Sequence, residues 1–199
     1  MNDTNLISQI KKTAEIISAG GVVGCPTESV YGLSCDPSNQ DALTRVLNIK
    51  QRDISKGLIL VAGDLSYFAD YIQPLSDKNI KLIEQELVFK NGKKTRACSW
   101  LVSAKNNVMP EISGVINNNI KIVIRLTAHP VLKGITDILK QPIISTSANI
   151  SGKAPCESYS DMLKVFNKNY NSLDYIINSE CWNLAPSSIK DLITGKILR

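Results

Sequence analysis

Short apolar runs alternate with segments of helical periodicity along this chain, and this alternation limits its fold more than any other feature. Apolar residues recur three or four positions apart in segments typical of amphipathic helices: 6–17, 43–47, 77–88, 131–139 and 162–166. Between them, apolar stretches predict buried strands at residues 22–25, 58–61, 97–102, 120–126, 142–145 and 175–178. This order predicts an α/β fold, a single domain of residues 1–199 with helices flanking a twisted mixed sheet.

The remaining segments have the composition of turns and loops. Residues 105–119 lack periodicity and end in three asparagines, which predicts a loop with a turn at residues 117–119. Residues 90–96 hold four cations, which indicates a solvated loop or, alternatively, a contact with phosphate or RNA. Thr194-Gly195 separates two apolar stretches, as expected for a final hairpin.

Composition excludes several classes of protein. A chain of 199 residues that is 43% hydrophobic is long enough to bury one sizeable core. It contains no run of about 18 apolar residues, and its first residues lack the order of a signal peptide, so we expect a cytoplasmic protein with no membrane contact. Its five cysteines form no CxxC pair, which predicts buried, reduced thiols rather than a zinc site or a disulfide framework.

The charged residues narrow the chemistry further. The net charge of +5 favours polyanionic partners, although many proteins without nucleic-acid partners are equally basic. His129 is the sole histidine, which excludes a His-rich metal site. Because it precedes Pro130 at the expected start of a helix, we interpret His129 as a surface or capping residue.

Three polar segments follow predicted strands and a helix. The first is the run Pro26 to Leu33, PTESVYGL, and the second is Lys50-Gln51-Arg52 at the end of a predicted helix. The third is the run Ser145 to Asn149, STSAN, after a predicted strand. Because ligands in α/β folds collect at the carboxyl ends of strands, we expect these segments to meet at one site.

The residue types in these segments suit anionic and hydroxylated ligands. Past a helix end, an extended backbone could aim Lys50 and Arg52 at one polyanion, although such a pair is commonly just a solvated helix terminus. Arg125, at a predicted strand end, could hold a carboxylate through two parallel hydrogen bonds, although arginines there are often simply exposed. The hydroxyl and amide groups of residues 145–149 suit phosphate or ribose oxygens, or else form an ordinary turn.

Other nucleotide sites are not supported. The chain contains neither a GxxxxGK[ST] loop nor a GxGxxG run, so the sequence gives no support for a P-loop ATPase or a Rossmann dehydrogenase. It also carries no marked pair of carboxylates for acid and base chemistry. The residues alone therefore predict a binding site for anions.

These segments, in this order, closely resemble the YrdC-like family, and within it the short, TsaC-type threonylcarbamoyl-AMP synthases. The resemblance covers nearly the whole chain. It is carried by PTESVYGL, the pair Lys50 and Arg52, KGLIL at residues 56–60, the strand with Arg125 and His129-Pro130, and STSANISG at residues 145–152.

The resemblance implies a fold, a reaction and roles for residues. The fold would be a twisted α/β sheet with a positively charged concave face. The reaction would join L-threonine, bicarbonate and ATP, with Mg²⁺, into threonylcarbamoyl-adenylate and pyrophosphate, the first step toward threonylcarbamoyladenosine in tRNA. Lys50 and Arg52 would be catalytic. The residues expected to bind ATP are Lys50, Arg52, Lys56, Ser147 and Asn149, and those expected around threonine are Thr27, Ser29, Tyr31, Arg125 and Ser145, with no metal ligand among them.

Partners and alternatives follow from the same resemblance. Proteins of the TsaD, TsaB and TsaE types would receive the adenylate, and direct contact with tRNA is possible. A non-enzymatic alternative is an RNA-binding or ribosome-maturation module that uses the same basic cavity. A further alternative is a carbamoyl-transfer domain like those in hydrogenase-maturation proteins, although these lie within much longer chains.

The chain departs from the family at one place. Where the family usually has a Trp-Pro-Gly-Pro turn, this sequence has GKKTR at residues 92–96. The shape of the pocket wall near this turn is therefore left open by the sequence.

Overall fold

Helices and strands alternate in the structure, a computed structural model, as the apolar pattern predicts. The structure describes residues 3–53, 58–85, 89–90, 93–94, 97–116, 119–166 and 173–198. The described helices are α1 (Asp3–Ser18), α2 (Gln40–Lys50), α3 (Asp77–Gln85), α4 (Pro130–Leu139), α5 (Tyr159–Phe166) and a 3-10 helix at Leu65–Phe68. The described strands are β1 (Val23–Cys25), β2 (Gly32–Ser34), β3 (Ile59–Ala62), β4 (Phe89–Lys90), β5 (Lys93–Lys94), β6 (Cys98–Ser103), β7 (Ser113–Ile116), β8 (Asn119–Leu126), β9 (Ile143–Ile144), β10 (Thr146–Ser147), β11 (Tyr175–Ile176) and β12 (Ser188–Asp191).

The larger sheet has the strand order β12-β6-β8-β3-β9. β3 is parallel to β8, with Val61 opposite Arg125, and β12 is parallel to β6. The pairs β6 with β8 and β3 with β9 are antiparallel. The sheet is therefore mixed, as expected.

A smaller sheet has the order β10-β2-β1-β11 and is also mixed, because β1 is parallel to β11 but antiparallel to β2. The chain passes directly from the larger sheet to the smaller one between β9 and β10. At this crossing the backbone nitrogen of Ser145 donates to the carbonyl of Ile59 at 2.9 Å. One short segment therefore joins the two sheets.

Helix α1 packs its apolar face against α4. Ile10, Ala14 and Ile17, spaced three or four residues apart, lie in one buried cluster with Leu132 and Ile135. Full burial of a side chain such as Ile17 contributes about 1.5–3 kcal/mol to folding. The helix ends before Gly20, whose φ of 85° is in the left-handed region that favours glycine.

The structure differs from the sequence prediction at two predicted loops. Residues 113–116, expected within a loop, form β7, which pairs with the first half of β8. The strand was missed because polar residues and glycine interrupt its apolar pattern. In the basic segment, β4 and β5 form an antiparallel pair, while residues 91, 92, 95 and 96 lie outside the described residues.

Other expectations hold in the described residues. All five cysteines are free and buried, as predicted. The final hairpin is present as a bridge between Lys190 and Ile197. Within the described part of the chain, no helix combines the length and apolar character needed to cross a membrane.

Candidate functional site

A cavity of about 250 Å³ lies where the two sheets meet. Its walls come from the PTESVYGL segment, the end of α2, the starts of β2 and β3, the end of β8, the β9–β10 crossing and two prolines. The lining residues are Thr27, Ser29, Val30, Tyr31, Gly32, Arg52, Ile59, Arg125, Ser145, Thr146, Ser147, Pro155, Pro186 and Ser187. All three polar segments of the sequence therefore contribute to one cavity.

The cavity position differs in one respect from the expectation. The sequence placed the site at the carboxyl ends of strands, including the one that ends near Val61. The structure instead uses Ile59, the first residue of β3. This difference arises at the crossing between β9 and β10. There the backbone nitrogen of Ser145 donates to the carbonyl of Ile59, which brings the STSAN run to the start of β3.

The PTESVYGL segment is held in a tight turn by its own threonine. Thr27 Oγ1 donates to the carbonyl of Val30 at 2.7 Å and accepts from the backbone nitrogen of Ser29 at 3.1 Å. These bonds use the Thr27 hydroxyl locally. Thr27 therefore shapes the wall that Ser29 and Val30 complete.

Tyr31 borders the cavity, but its phenol group lies elsewhere. The Tyr31 hydroxyl donates to the carbonyls of Ser179 at 2.6 Å and Ile177 at 2.9 Å. Burial raises the pKa of this phenol above its usual range, so the group remains a neutral hydrogen-bond donor. Tyr31 thus ties the turn to the C-terminal part of the chain.

Gly32 permits the close approach of two walls. A Cβ atom at this position would lie 3.2 Å from Ser145 Oγ and 3.3 Å from the Thr146 carbonyl. A larger residue would therefore push β10 away from β2, where Ser147 and Gly32 are register partners.

Arg52 reaches the cavity because α2 ends in a left-handed turn. Gln51 has a φ of 48°, and the backbone nitrogen of Arg52 donates to the Leu47 carbonyl at 3.0 Å. This turn directs the chain away from the helix axis immediately after Lys50. Arg52 lines the cavity as a result.

Lys50 does not line the cavity. Its side chain is buried, with 2% exposure, and its ammonium group donates to the carbonyl of Ser147, the carbonyl of Asn149 at 3.1 Å and Asn149 Oδ1 at 3.0 Å. Burial, reinforced by the charge of Arg52, lowers the pKa of Lys50 to about 8. The turn at Gln51 thus separates the two cations, and Lys50 braces the loop that carries Ser147.

Asn149 completes this brace. Its Oδ1 also accepts from Ser147 Oγ at 2.7 Å, and its amide nitrogen donates to the carbonyls of Ile150 and Lys153 at 3.1 and 2.8 Å. The Asn149 side chain is therefore engaged within its own loop, and Ser147, not Asn149, lines the cavity.

Replacing Lys50 by methionine is expected to lower the free energy of unfolding by about 3 kcal/mol, because three acceptors in one loop lose their donor. Urea denaturation followed by circular dichroism measures this change. The matched control is Lys164→Met, which removes an exposed lysine paired with Asp161 and should change stability by less than about 1 kcal/mol. A Lys50→Met protein as stable as the parent but catalytically impaired would indicate that the ammonium acts on a ligand.

Arg125 lines the cavity and lies beside a buried carboxylate. Arg125 is 8% exposed and Glu28 1% exposed, and Nη2 of the arginine lies 3.5 Å from Oε2 of the glutamate. Arg125 Nε and Nη2 are buried and make no hydrogen bond within the described residues. Because buried polar groups are normally hydrogen bonded, a guanidinium that has unpaired donors and also lines a cavity is a candidate to bind an anionic ligand.

Thr127 holds Glu28 in place through a hydrogen bond from its Oγ1 to Glu28 Oε1. Burial alone would raise the pKa of Glu28, but the charge of Arg125 and the Thr127 hydrogen bond outweigh this effect and lower the pKa below its usual value. Glu28 is therefore a carboxylate. No pattern in the sequence predicted a role for Glu28 or Thr127.

The segment between β11 and β12, residues 177–187, forms a strap across the PTESVYGL turn. The backbone nitrogens of Trp182 and Leu184 donate to the carbonyls of Thr27 and Glu28 at 3.1 and 2.9 Å. Pro186 and Ser187 at its end line the cavity, and Ser187 accepts from Ser99 Oγ at 3.0 Å. No periodicity or motif in the sequence marks this segment as part of the site.

His129 is buried rather than exposed, which corrects the surface interpretation. It is 1% exposed, its ring packs 5.0 Å from that of Trp182, and Nε2 lies 3.2 Å from the carbonyl of Glu180. It stands at the N-cap of α4 but makes no side-chain capping bond there. His129 therefore supports the strap.

Most of the predicted site residues meet at this cavity. Those that line it are Thr27, Ser29, Tyr31, Arg52, Arg125, Ser145 and Ser147. Lys50 and Asn149 lie behind its wall, and Lys56 lies outside the described residues. The lining residues that the sequence analysis did not single out for a role are mainly apolar or come from the strap, such as Ile59, Pro155 and Pro186.

Comparison with known families gives a match along nearly the whole chain. The model of the Sua5/YciO/YrdC family, described as "Telomere recombination", matches residues 15–199. This span includes every segment that lines the cavity.

Two curated relatives have the same name and almost the same length. The threonylcarbamoyl-AMP synthase of Haemophilus influenzae (strain 86-028NP) is 32% identical over 191 residues, which are 95% of this chain and 97% of the relative. The threonylcarbamoyl-AMP synthase of Nitrosococcus oceani is 36% identical over 192 residues, which are 96% of this chain and 97% of the relative.

A solved structure shares the fold. The crystal structure of P. abyssi Sua5 complexed with L-threonine superposes with a TM-score of 0.81 at 23% identity, covering 97% of this chain. This chain spans 54% of that protein's length. The likeness at this identity concerns the fold.

Proposed function

The chain belongs to the Sua5/YciO/YrdC family, and from this premise we propose that it is an enzyme that makes threonylcarbamoyl-AMP. Its reaction joins L-threonine, bicarbonate and ATP into threonylcarbamoyl-AMP and pyrophosphate, for the threonylcarbamoyladenosine modification of tRNA. The observation that supports it best is one cavity lined by two arginines and the hydroxyl-rich STSAN segment. Near full-length similarity to two synthases of this name adds to it.

The Arg125 end of the cavity is proposed to bind threonine. A guanidinium group can hold a carboxylate through two parallel hydrogen bonds, and Arg125 lines the cavity. Ser29 and Ser145 line the cavity nearby, with Thr27 and Tyr31 fixing the shape of its wall. The P. abyssi Sua5 structure, which has the same fold, was crystallised with L-threonine.

The Arg52 end is proposed to bind the phosphates of ATP. Arg52 and Ser147 line the cavity, while Lys50 and Asn149 fix the loop that carries Ser147. We propose that the nucleotide extends from Arg52 beyond the cavity, with Lys56 as a further contact. ATP would enter as its magnesium complex, with the ion held by phosphate oxygens, since the described residues contain no cluster of three metal-binding side chains.

The chemistry requires positioning more than a protein base. The ammonium proton of threonine converts bicarbonate into carbon dioxide and water, and the free amine then adds to carbon dioxide and releases a second proton to solvent, which gives a carbamate. A carbamate oxygen then bonds to the α-phosphorus of ATP. The bond between the α-phosphorus and the bridging oxygen breaks, and pyrophosphate leaves with that oxygen. Because the carbamate is already an anion, the task of Arg52 is to align the phosphates and neutralise their charge.

The assay that tests this function measures pyrophosphate released from ATP. We expect release only when threonine and bicarbonate are both present, because the carbamate forms from both. Omitting either one, or replacing threonine by valine, provides the controls. Release that does not depend on threonine, or no release at all, would overturn the proposal.

The partners and location are part of the same proposal. We propose that the adenylate passes to proteins of the TsaD, TsaB and TsaE types in the cytosol, where tRNA is modified, and that direct tRNA contact is limited to this transfer. Residues 1–199 would act as one domain, since β11 and β12, late in the chain, pair with β1 and β6. An RNA-binding module without turnover is not favoured, because such a protein would not need a small cavity of this kind.

A further inference from the structure

Glu28 pairs with Arg125 but is not among the residues that line the cavity. Its neighbours Thr27 and Ser29 line the cavity wall, whereas the Glu28 side chain is buried and is not among the lining groups. One carboxylate oxygen accepts from Thr127, and the other faces Nη2 of Arg125 at 3.5 Å. Backbone bonds from the strap fix this position, because Leu184 donates to the Glu28 carbonyl.

The pair places equal and opposite charges at one end of the cavity. Arg125 brings one positive charge, and Glu28, whose pKa is lowered by its surroundings, brings one negative charge. Both groups are nearly removed from water, so screening by solvent and salt is weak at this end. A ligand that adds net charge there meets a large desolvation penalty.

We propose that Glu28 is a specificity-determining residue, which keeps the Arg125 end of the cavity selective for an amino-acid zwitterion and excludes phosphate from it. This inference rests on the proposed function, in which threonine binds at Arg125. The amino acid enters as a zwitterion with no net charge, before its amine reacts. A phosphate dianion would instead bring two negative charges close to the carboxylate of Glu28.

The charge of Glu28 keeps phosphate groups out of the site for the amino acid. ATP and pyrophosphate supply phosphate groups close to the same cavity, and an uncompensated guanidinium at its inner end would attract them. The negative charge of Glu28 offsets this long-range attraction, whereas the Arg125 guanidinium, which lines the cavity, can still donate to a carboxylate at short range. Selectivity thus arises from a repulsive element against the wrong ligand.

The test is a calorimetric titration of threonine in the presence and absence of inorganic phosphate, without ATP. For the unmodified protein, phosphate should change the apparent Kd of threonine by less than about twofold. For Glu28→Gln, which keeps the volume and an acceptor for Thr127, phosphate should compete and raise that Kd about tenfold. Competition in the unmodified protein, or its absence in Glu28→Gln, would overturn the inference.

A matched control uses a second buried carboxylate. Glu111 is 8% exposed and accepts a hydrogen bond from Gln40, away from the cavity lining. Glu111→Gln should show no phosphate competition. If it did, a general loosening of the fold would explain the effect and the role of Glu28 would be refuted.

A second variant guards against misfolding of Glu28→Gln. Thr127→Val removes the hydrogen bond to Glu28 but leaves both charges, so it should still exclude phosphate, whereas a merely structural role would make it resemble Glu28→Gln.

Failure of the proposed function is seen separately, as an unmodified protein that forms no threonylcarbamoyl-AMP. The phosphate titrations still decide the role of Glu28 in that case, through direct binding of phosphate.

Discussion

Arg52→Ala is expected to lower kcat for threonylcarbamoyl-AMP formation about 100- to 1000-fold, equivalent to about 2.7–4 kcal/mol of transition-state stabilisation. The reason is that Arg52 lines the cavity at the end proposed for the phosphates, where charge is redistributed as pyrophosphate leaves. Single-turnover formation of the product from ATP, threonine and bicarbonate measures the effect. The fold should be retained, because Arg52 lies beyond the last turn of α2.

The matched control is Arg45, an arginine within α2. Arg45 pairs with Asp174 on the surface at 2.6 Å and is about two-fifths exposed. Arg45→Ala should leave kcat within about twofold and change stability by less than about 1 kcal/mol. If Arg52→Ala retains near-normal turnover, the proposed role of Arg52 is wrong.

Arg125→Gln is expected to raise the KM for threonine at least about 100-fold, because a bidentate, charge-assisted contact in a buried site is lost. The KM for ATP should change much less. The same substitution leaves Glu28 buried without its partner charge, so it should also lower the free energy of unfolding by about 3–5 kcal/mol. Initial-rate kinetics with each substrate varied, together with urea denaturation, measure both effects.

The two effects of this substitution can be separated. The double variant Glu28→Gln and Arg125→Gln removes both charges, so it should recover much of the lost stability without recovering threonine binding. Recovery of threonine binding in the double variant would show that the single variant failed through misfolding. Equal loss of affinity for threonine and ATP in the single variant would contradict the assignment of Arg125 to threonine.

The sequence was sufficient to predict the elements with clear apolar patterns. α1, α4 and β8 appear close to their expected positions because each has a regular apolar face that becomes buried. β7 was missed because short strands depend on their pairing partner more than on their own composition. The pairing of β3 with both β8 and β9 depends on contacts between distant residues, which periodicity does not encode.

The candidate site was predictable as a set of residues but not as an arrangement. Motifs identified Arg52, Arg125 and Ser147, which line one cavity. They also identified Lys50, but the sequence could not show that a left-handed residue at Gln51 separates it from Arg52. Residue types at a given spacing indicate chemistry, whereas the direction of each side chain depends on the backbone and on packing.

Glu28 and the strap could not be assigned to the site from the sequence alone. Glu28 lies within the PTESVYGL run, yet a single carboxylate gives no signal until its neighbour across the fold is known. The strap is far in sequence from the turn that it covers, since Tyr31 lies 148 positions from Ser179 and 146 positions from Ile177, whose carbonyls accept from its hydroxyl. Such long-range contacts become visible only in the folded chain.

The strap has a consequence for synthesis of the protein on the ribosome. Thr27 and Glu28 emerge early, but their backbone partners Trp182 and Leu184 are translated near the end of the chain. The cavity therefore cannot be completed until the last part of the chain has been translated, and folding must wait for contacts of high sequence separation. Messages cut short before the strap would yield polypeptides that carry every recognisable motif and still have no complete binding cavity.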